Sequence, residues 1–253
     1  RAFPGSRLGV QADQFRGLNP PYEYGTTGYA GSGLGSDPIS YGDVNGDGLT
    51  DLAVADRTYG ELRRGTIEGR VFLYTGTSNG LLLECGQALV PPHRNYPVSE
   101  YGTDVSIGDF NGDGYGDTAV ICNDDEALQL HLGGPTGTQF VPVDSAGGVG
   151  FGARFIGDVN GDGYADIAAR VHGNDDSWVV VLYGNPAARL LFHVQGPFRP
   201  RYVDTSYGFQ MEGGDFNSDG YSDVIIAGWG FADVFHGSES GLSVMTRLVK
   251  PRW

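Results

Sequence analysis

The chain has 253 residues, enough to bury a sizeable core, with 43 glycines, 12% aromatic residues and a formal charge of −15. That acidity argues against a nucleic-acid partner, whose usual footprint is a basic face. No apolar run approaches the roughly 18 residues of a membrane helix, so membrane insertion is not expected, and glycine interleaved with aromatics suits an all-β protein of short strands.

Residues 1–30 come first in chain order. A glycine turn at 5–10 and the run Leu18-Asn-Pro20-Pro21 echo Leu89-Val-Pro91-Pro92 further on. The segment reads as the outer strand of a preceding unit followed by a linker. It has no signal-peptide pattern, a feature that a mature chain and a fragment share.

Four similar units follow. The first, 31–92, opens on Leu34-Gly35, and the apolar run Leu52-Ala-Val-Ala55 follows its polar loop. A third strand at Arg70–Tyr74 leads to a glycine turn at 76–80, and a fourth strand is expected near Pro91. The second unit, 98–145, has Tyr101-Gly102, the run 118–121, a third strand at Leu128–Leu132 and Pro142. The third, 147–199, has Phe151-Gly152, the run 167–169, a third strand at Trp178–Tyr183 and Pro197. The fourth, 203–253, has Tyr207-Gly208, the run 224–227, a third strand at Ala232–Phe235, the turn 237–241 and Pro251. Proline belongs at a strand edge or just beyond it, so each fourth strand is expected to end near one.

The loop before each apolar run carries the chemistry. The side chains are Asp43, Asn45, Asp47 and Asp51 in the first unit and Asp109, Asn111, Asp113 and Asp117 in the second. They are Asp158, Asn160, Asp162 and Asp166 in the third and Asp215, Asn217, Asp219 and Asp223 in the fourth. Oxygen donors at positions 1, 3, 5 and 9, with glycine at 6 for the sharp turn, suit a hard cation held by oxygens at roughly 2.3–2.6 Å. Calcium (Ca2+) at four sites is therefore expected. An EF-hand is excluded, because its glutamate at position 12 is replaced by Val54, Val120, Ala169 and Ile226. Four bound calcium ions would roughly halve the negative charge. The alternative is that Asp and Asn merely form metal-free turns.

The loops start 66, 49 and 57 residues apart, a spacing that fits four-stranded propeller blades. Open calcium sites of this kind suit extracellular calcium. That setting permits a disulfide between Cys85 and Cys122, although two separate buried thiols are the expected arrangement. His93, His131, His172, His193 and His236 lie in different units, His131 and His236 at similar places near the ends of third strands. Asp124-Asp125-Glu126 and Asp175-Asp176 read as solvated turns, with a ligand site as the alternative, and Trp178, Trp229 and Trp253 as packing residues, with sugar stacking as the alternative. No nucleophile elbow, zinc-protease pair or phosphate loop is present.

The aromatic-Gly pair, the Gly-Asp-x-Asn-Gly-Asp-Gly-x-x-Asp core and the strands after it resemble the FG-GAP repeats of integrin alpha subunits. The resemblance covers about residues 31–253. It implies a β-propeller of four-stranded antiparallel blades, four of them complete here beside a leftover N-terminal strand. It also adds a fifth ligand per loop, the backbone carbonyl at position 7, on Leu49, Tyr115, Tyr164 and Tyr221. Ser218 replaces the glycine found at position 4 of the other loops, so the fourth loop is expected to be slightly strained. The function expected is a secreted or cell-surface adhesion module that presents loops to a protein or glycan ligand. A polysaccharide lyase-like enzyme or lectin is the alternative. The chain is expected to join the rest of a longer propeller or a second copy of itself, because an open sheet edge is normally covered.

Overall fold

The structure is a computed structural model. It describes residues 38–59, 67–82, 85–91, 98–123, 126–139, 144–149, 152–173, 175–190, 194–200 and 204–249. The N-terminal segment, Pro251, Trp253, His93, His193, Asp124 and Asp125 lie outside them.

All regular structure described is β. Unit 1 comprises β1 (Ile39–Gly42), β2 (Asp51–Asp56), β3 (Ile67–Tyr74) and β4 (Gln87–Leu89). Unit 2 comprises β5 (Val98–Gly108), β6 (Asp117–Cys122), β7 (Ala127–His131) and β8 (Asp144–Gly147). Unit 3 comprises β9 (Ala153–Gly157), β10 (Asp166–His172), β11 (Ser177–Leu182) and β12 (Val194–Phe198). Unit 4 comprises β13 (Met211–Gly214), β14 (Asp223–Gly228), β15 (Phe231–His236) and β16 (Ser243–Val249). Each unit is an antiparallel meander whose strands pair in chain order. A short parallel pairing of β3 with β5 joins units 1 and 2 into one sheet.

The apolar run after each loop forms the second strand because both its faces are covered. All six residues of β6 are buried, as are the first five of β10. Short, continuously apolar strands of this kind suit a buried position. The cores lie between units. Val44, Val71, Val105 and Ile107 fill the space between units 1 and 2. Phe110, Leu130, Ile167 and Leu182 fill that between 2 and 3, and Ile156, Val181, Val224 and Phe235 that between 3 and 4. The first strands are neighbours in turn, β1 beside β5, β5 beside β9 and β9 beside β13.

Three expectations need correction. The fourth strand of unit 2 follows Pro142 instead of ending at it, and Pro197 lies inside β12, where the ladder to β11 shifts register. A missing N–H is tolerated at such an irregularity. Trp229 is no packing residue: it sits in the turn between β14 and β15 and is 86% exposed. Trp178 is half-buried beneath the Arg199 guanidinium, 4.0 Å above its ring. Cys85 and Cys122 form no disulfide with each other, Cys85 donating to the Gln87 carbonyl and Cys122 lying buried between units 1 and 2.

Candidate metal centres in the loops between first and second strands

All four loops fold alike, and side-chain oxygens organise them. In unit 1, Asp43 Oδ1 accepts from the N–H groups of Gly46 and Asp47, and Oδ2 from that of Gly48. The chain is thereby wound around the position-1 carboxylate. Asn45 Oδ1 accepts from Asp47 N–H while its amide donates to Asp47 Oδ2, and Asp47 Oδ1 accepts from Leu49 N–H. Loops 2 and 3 repeat every one of these bonds around Asp109 and Asp158. Asn and Asp favour such local bonds, so the sequence folds this way wherever it recurs.

Position 9 differs from the rest. Asp51, Asp117, Asp166 and Asp223 begin the second strands and are buried, whereas the other ligand residues are half-buried, as Asp43 and Asn45 are, or exposed, as Asp47 is. Each position-9 carboxylate accepts from the N–H at position 2 and from a glycine N–H just past the third strand. For Asp166 these are Val159 at 2.9 Å and Gly184 at 2.9 Å. Gly76, Gly133 and Gly237 are the equivalent donors elsewhere. These glycines read from sequence as turn residues alone; their recurrence after all four third strands is the signal for this second role.

Burial pushes the carboxyls of Asp117 and Asp166 up to about 7, against the N–H bonds and with repulsion from the loop aspartates adding to it. Asp51 is raised by the same causes. Asp223 is lowered. Burial still acts on it, but the N–H bonds and the His236 imidazole outweigh that effect. His236 Nδ1 lies 3.3 Å from Asp223 Oδ1, a contact not foreseen from sequence.

His131 and His236 do not occupy equivalent places. His131 pairs across the sheet with Thr118, the residue after position 9, whereas Phe235 holds that register in unit 4. The one-residue offset sends the two side chains to opposite faces. His131 is buried between the Tyr101 hydroxyl at 2.8 Å and the Gln139 carbonyl at 2.9 Å.

Loop 4 carries Ser218 at φ 62°, a left-handed conformation that glycine adopts at 73°, 73° and 74° in the other loops. A serine there carries the strain expected of a side chain at positive φ. Five of the six bonds recur around Asp215, Asn217 and Asp219, and the one from the position-4 N–H to the position-1 carboxylate, made by Gly46, Gly112 and Gly161, is not among the bonds described for Ser218.

Successive loops are also tied together. Gly116, Ala165 and Ser222 N–H donate to the position-1 carbonyls of the preceding loops, Asp43, Asp109 and Asp158. The position-7 tyrosines lie over the position-4 glycines before them. A Cβ at Gly46, Gly112 or Gly161 would come within 2.6–2.7 Å of the ring of Tyr115, Tyr164 or Tyr221. Those glycines therefore serve both the backbone twist and the fit between units.

The donor set fits a hard cation in its chemistry. Each loop offers three carboxylates, an amide oxygen and the position-7 carbonyl, all of them oxygen donors. Among the described residues, no three acidic, histidine or cysteine side chains are gathered closely enough to enclose a metal. The fit is therefore one of donor type and loop order.

The profile of the FG-GAP-like repeat matches residues 43–120 and 109–169, spanning loops 1 to 3 and the strands after them. The chain is 34% identical over 110 residues to integrin alpha-PS5 of Drosophila melanogaster, across 42% of this chain and 10% of that protein. It is 31% identical over 88 residues to integrin alpha-4 of Xenopus laevis, across 34% and 8%. It is 34% identical over 98 residues to integrin alpha-PS3 of Drosophila melanogaster, across 37% and 8%. The matched stretches are thus a tenth or less of those relatives' length. The recurring loop and meander, together with the profile match over half the chain, show that this chain belongs to the FG-GAP-like repeat family.

Proposed function

We propose that the chain is a calcium-stabilised recognition module of the integrin alpha-like type, its four meanders serving as blades of a β-propeller. One observation carries the reading: four loops present the same ordered oxygen donors, wound in the same way, at the same junction of first and second strands. Asp43, Asn45, Asp47, Asp51 and the Leu49 carbonyl would hold the first ion, and the corresponding residues the other three. A bound divalent cation would neutralise the three carboxylates of its loop. It would also oppose the burial that raises Asp117 and Asp166. The role is structural and non-catalytic: the described histidines are apart, His131 in the core, His172 bonded to Ser177 and His236 at loop 4. The meander order and the neighbouring first strands support the propeller reading.

The setting proposed is secreted or cell-surface, where calcium is abundant, and the partner is a protein or glycan engaged by the loops joining the strands. Among the described residues no helix is long and apolar enough to cross a membrane, which says nothing of a β-barrel. The test is calorimetric titration of the chelated protein with calcium and with magnesium. It is followed by capture on immobilised matrix proteins and glycan arrays, with calcium and with chelator. Calcium uptake at four sites and calcium-dependent capture are expected. No calcium uptake at millimolar concentration would overturn the reading.

A further inference from the structure

The joint between units 2 and 3 has a receiving half and an inserting half. Phe155 of β9 lies on Gly108, where a Cβ would come within 2.5 Å of its ring, and meets Phe110 edge-on with centroids 6.4 Å apart. Tyr164 covers Gly112. Ala165 and Asn185 N–H donate to the carbonyls of Asp109 and Phe110. Phe110 is completely buried as a result.

Unit 4 carries the receiving half with nothing described on it. Gly214 stands where unit 2 has Gly108, each paired with the position-9 aspartate of its own loop. Phe216 stands where unit 2 has Phe110, yet it is 51% exposed. The Asp215 and Phe216 carbonyls accept no hydrogen bond among the described residues.

Unit 1 carries the inserting half. Tyr41 pairs with Leu52 as Phe155 pairs with Ile167, and it is 74% exposed. Thr50 N–H holds the place of Ala165 N–H and has no partner among the described residues.

The two halves each depart once from the repeat, and the departures match. Ser218 puts a Cβ where the other loops have none, in the place a following tyrosine ring would occupy. Leu49 of unit 1 is the one position-7 residue of the four that is not tyrosine. A tyrosine ring placed on Ser218 as Tyr164 is placed on Gly112 would overlap its Cβ, whereas Leu49 brings no ring. Among the described residues β1 packs on β5 and β13 on β9, and Tyr41 and Phe216 both remain exposed, so the described part of unit 1 does not cover that of unit 4 in the same chain.

We propose that unit 1 of a second copy of this chain docks on unit 4, repeating the joint between units 2 and 3. Tyr41 meets Phe216 over Gly214, Leu49 lies against Ser218, and Thr50 N–H donates to the Asp215 carbonyl. Such a head-to-tail joint closes into a ring where the rotation permits and otherwise propagates. The inference rests on the joints between units and not on metal binding, so either can fail without the other.

The experiment is sedimentation of the full chain across a concentration series in calcium. Reversible association to multiples of the chain mass is expected. Leu49→Tyr should weaken it about tenfold or more through overlap with Ser218, and adding Ser218→Gly to that variant should restore it. Phe216→Asp should abolish it, with an unchanged circular dichroism spectrum in calcium required to show that the unit remains folded. A chain that stays monomeric throughout, or an association indifferent to Phe216→Asp and to the Leu49–Ser218 pair, overturns the proposal.

Discussion

Alanine substitution at two glycines of loop 2 separates backbone strain from contact between units. Gly112 and Gly114 both sit at positive φ, 73° and 87°. A left-handed conformation costs an L residue about 1–2 kcal/mol, so both alanine variants incur that loss. At Gly114 the new Cβ meets nothing within 4 Å. At Gly112 it lies 2.7 Å from the Tyr164 ring. That ring cannot retreat freely, because its Cβ is pressed on Gly184, where an added Cβ would be 2.5 Å away. Overpacking of this kind adds about 1–3 kcal/mol. For a chain of this size each kcal/mol lowers the melting temperature by about 2–4 °C. Gly114→Ala should therefore lower it by about 2–8 °C and Gly112→Ala by about 4–20 °C. The assay is calorimetric melting in saturating calcium, with Tyr164→Ala completing a double-mutant cycle. Truncating Tyr164 leaves its backbone carbonyl in place and should recover the overpacking part of the Gly112→Ala loss. Equal losses at the two glycines, or no coupling between Gly112 and Tyr164, would refute the stacking of tyrosine on the preceding loop.

Other perturbations probe other parts of the structure. Arg247 reaches Asp233 through two nitrogens at 2.6 and 2.7 Å, and Asp233 is wholly buried, so Arg247→Ala should destabilise by about 3–5 kcal/mol in thermal melts. Burial lowers His131 to about 4, so its neutral form contributes stability that is present above the unfolded value near 6.5 and is lost as pH falls toward 4. Replacing His131 by glutamine should flatten the pH dependence of stability in that window; an unchanged slope would contradict it. Asp162→Ala should lower the melt modestly in chelator, since it loses the exposed bonds from Tyr164 N–H and the Asn160 amide, and should in addition remove about 2.7 kcal/mol of the calcium-induced gain at a hundredfold excess over Kd.

Much of this architecture was legible in the residues. The ordered donors, the apolar run after each loop and the spacing of the loops lead to four meanders of four strands, because each feature is local. What depended on contacts between distant residues was not legible. The Gly76, Gly133, Gly184 and Gly237 amides bind position-9 carboxylates 14 to 25 residues before them, and each glycine taken singly reads as a turn residue, its recurrence after every third strand being the one trace of this role in the sequence. The offset between His131 and His236 depends on pairing register, which a one-residue slip reverses and which loop length alone does not specify. The ends of the fourth strands were misjudged because β12 absorbs Pro197 through a register shift instead of stopping before it.

The position-9 aspartate explains why the loop and the strand after it recur as one piece of sequence. Its carboxylate must face the loop to meet the position-2 amide, and it must lie at the end of the third strand to meet the glycine amide. Only the first residue of a second strand meets both conditions. The carbonyls at positions 1 and 2 of the same loop receive the next unit, as Asp109 and Phe110 receive Ala165 and Asn185. One loop thus joins three things: its own first and second strands, its own third strand, and the following unit. A cation held by Asp109, Asn111, Asp113 and Asp117 would brace all three at once. Loss of the cation would then loosen the joints between units before it unravelled any single sheet, whose ladders do not pass through the loop.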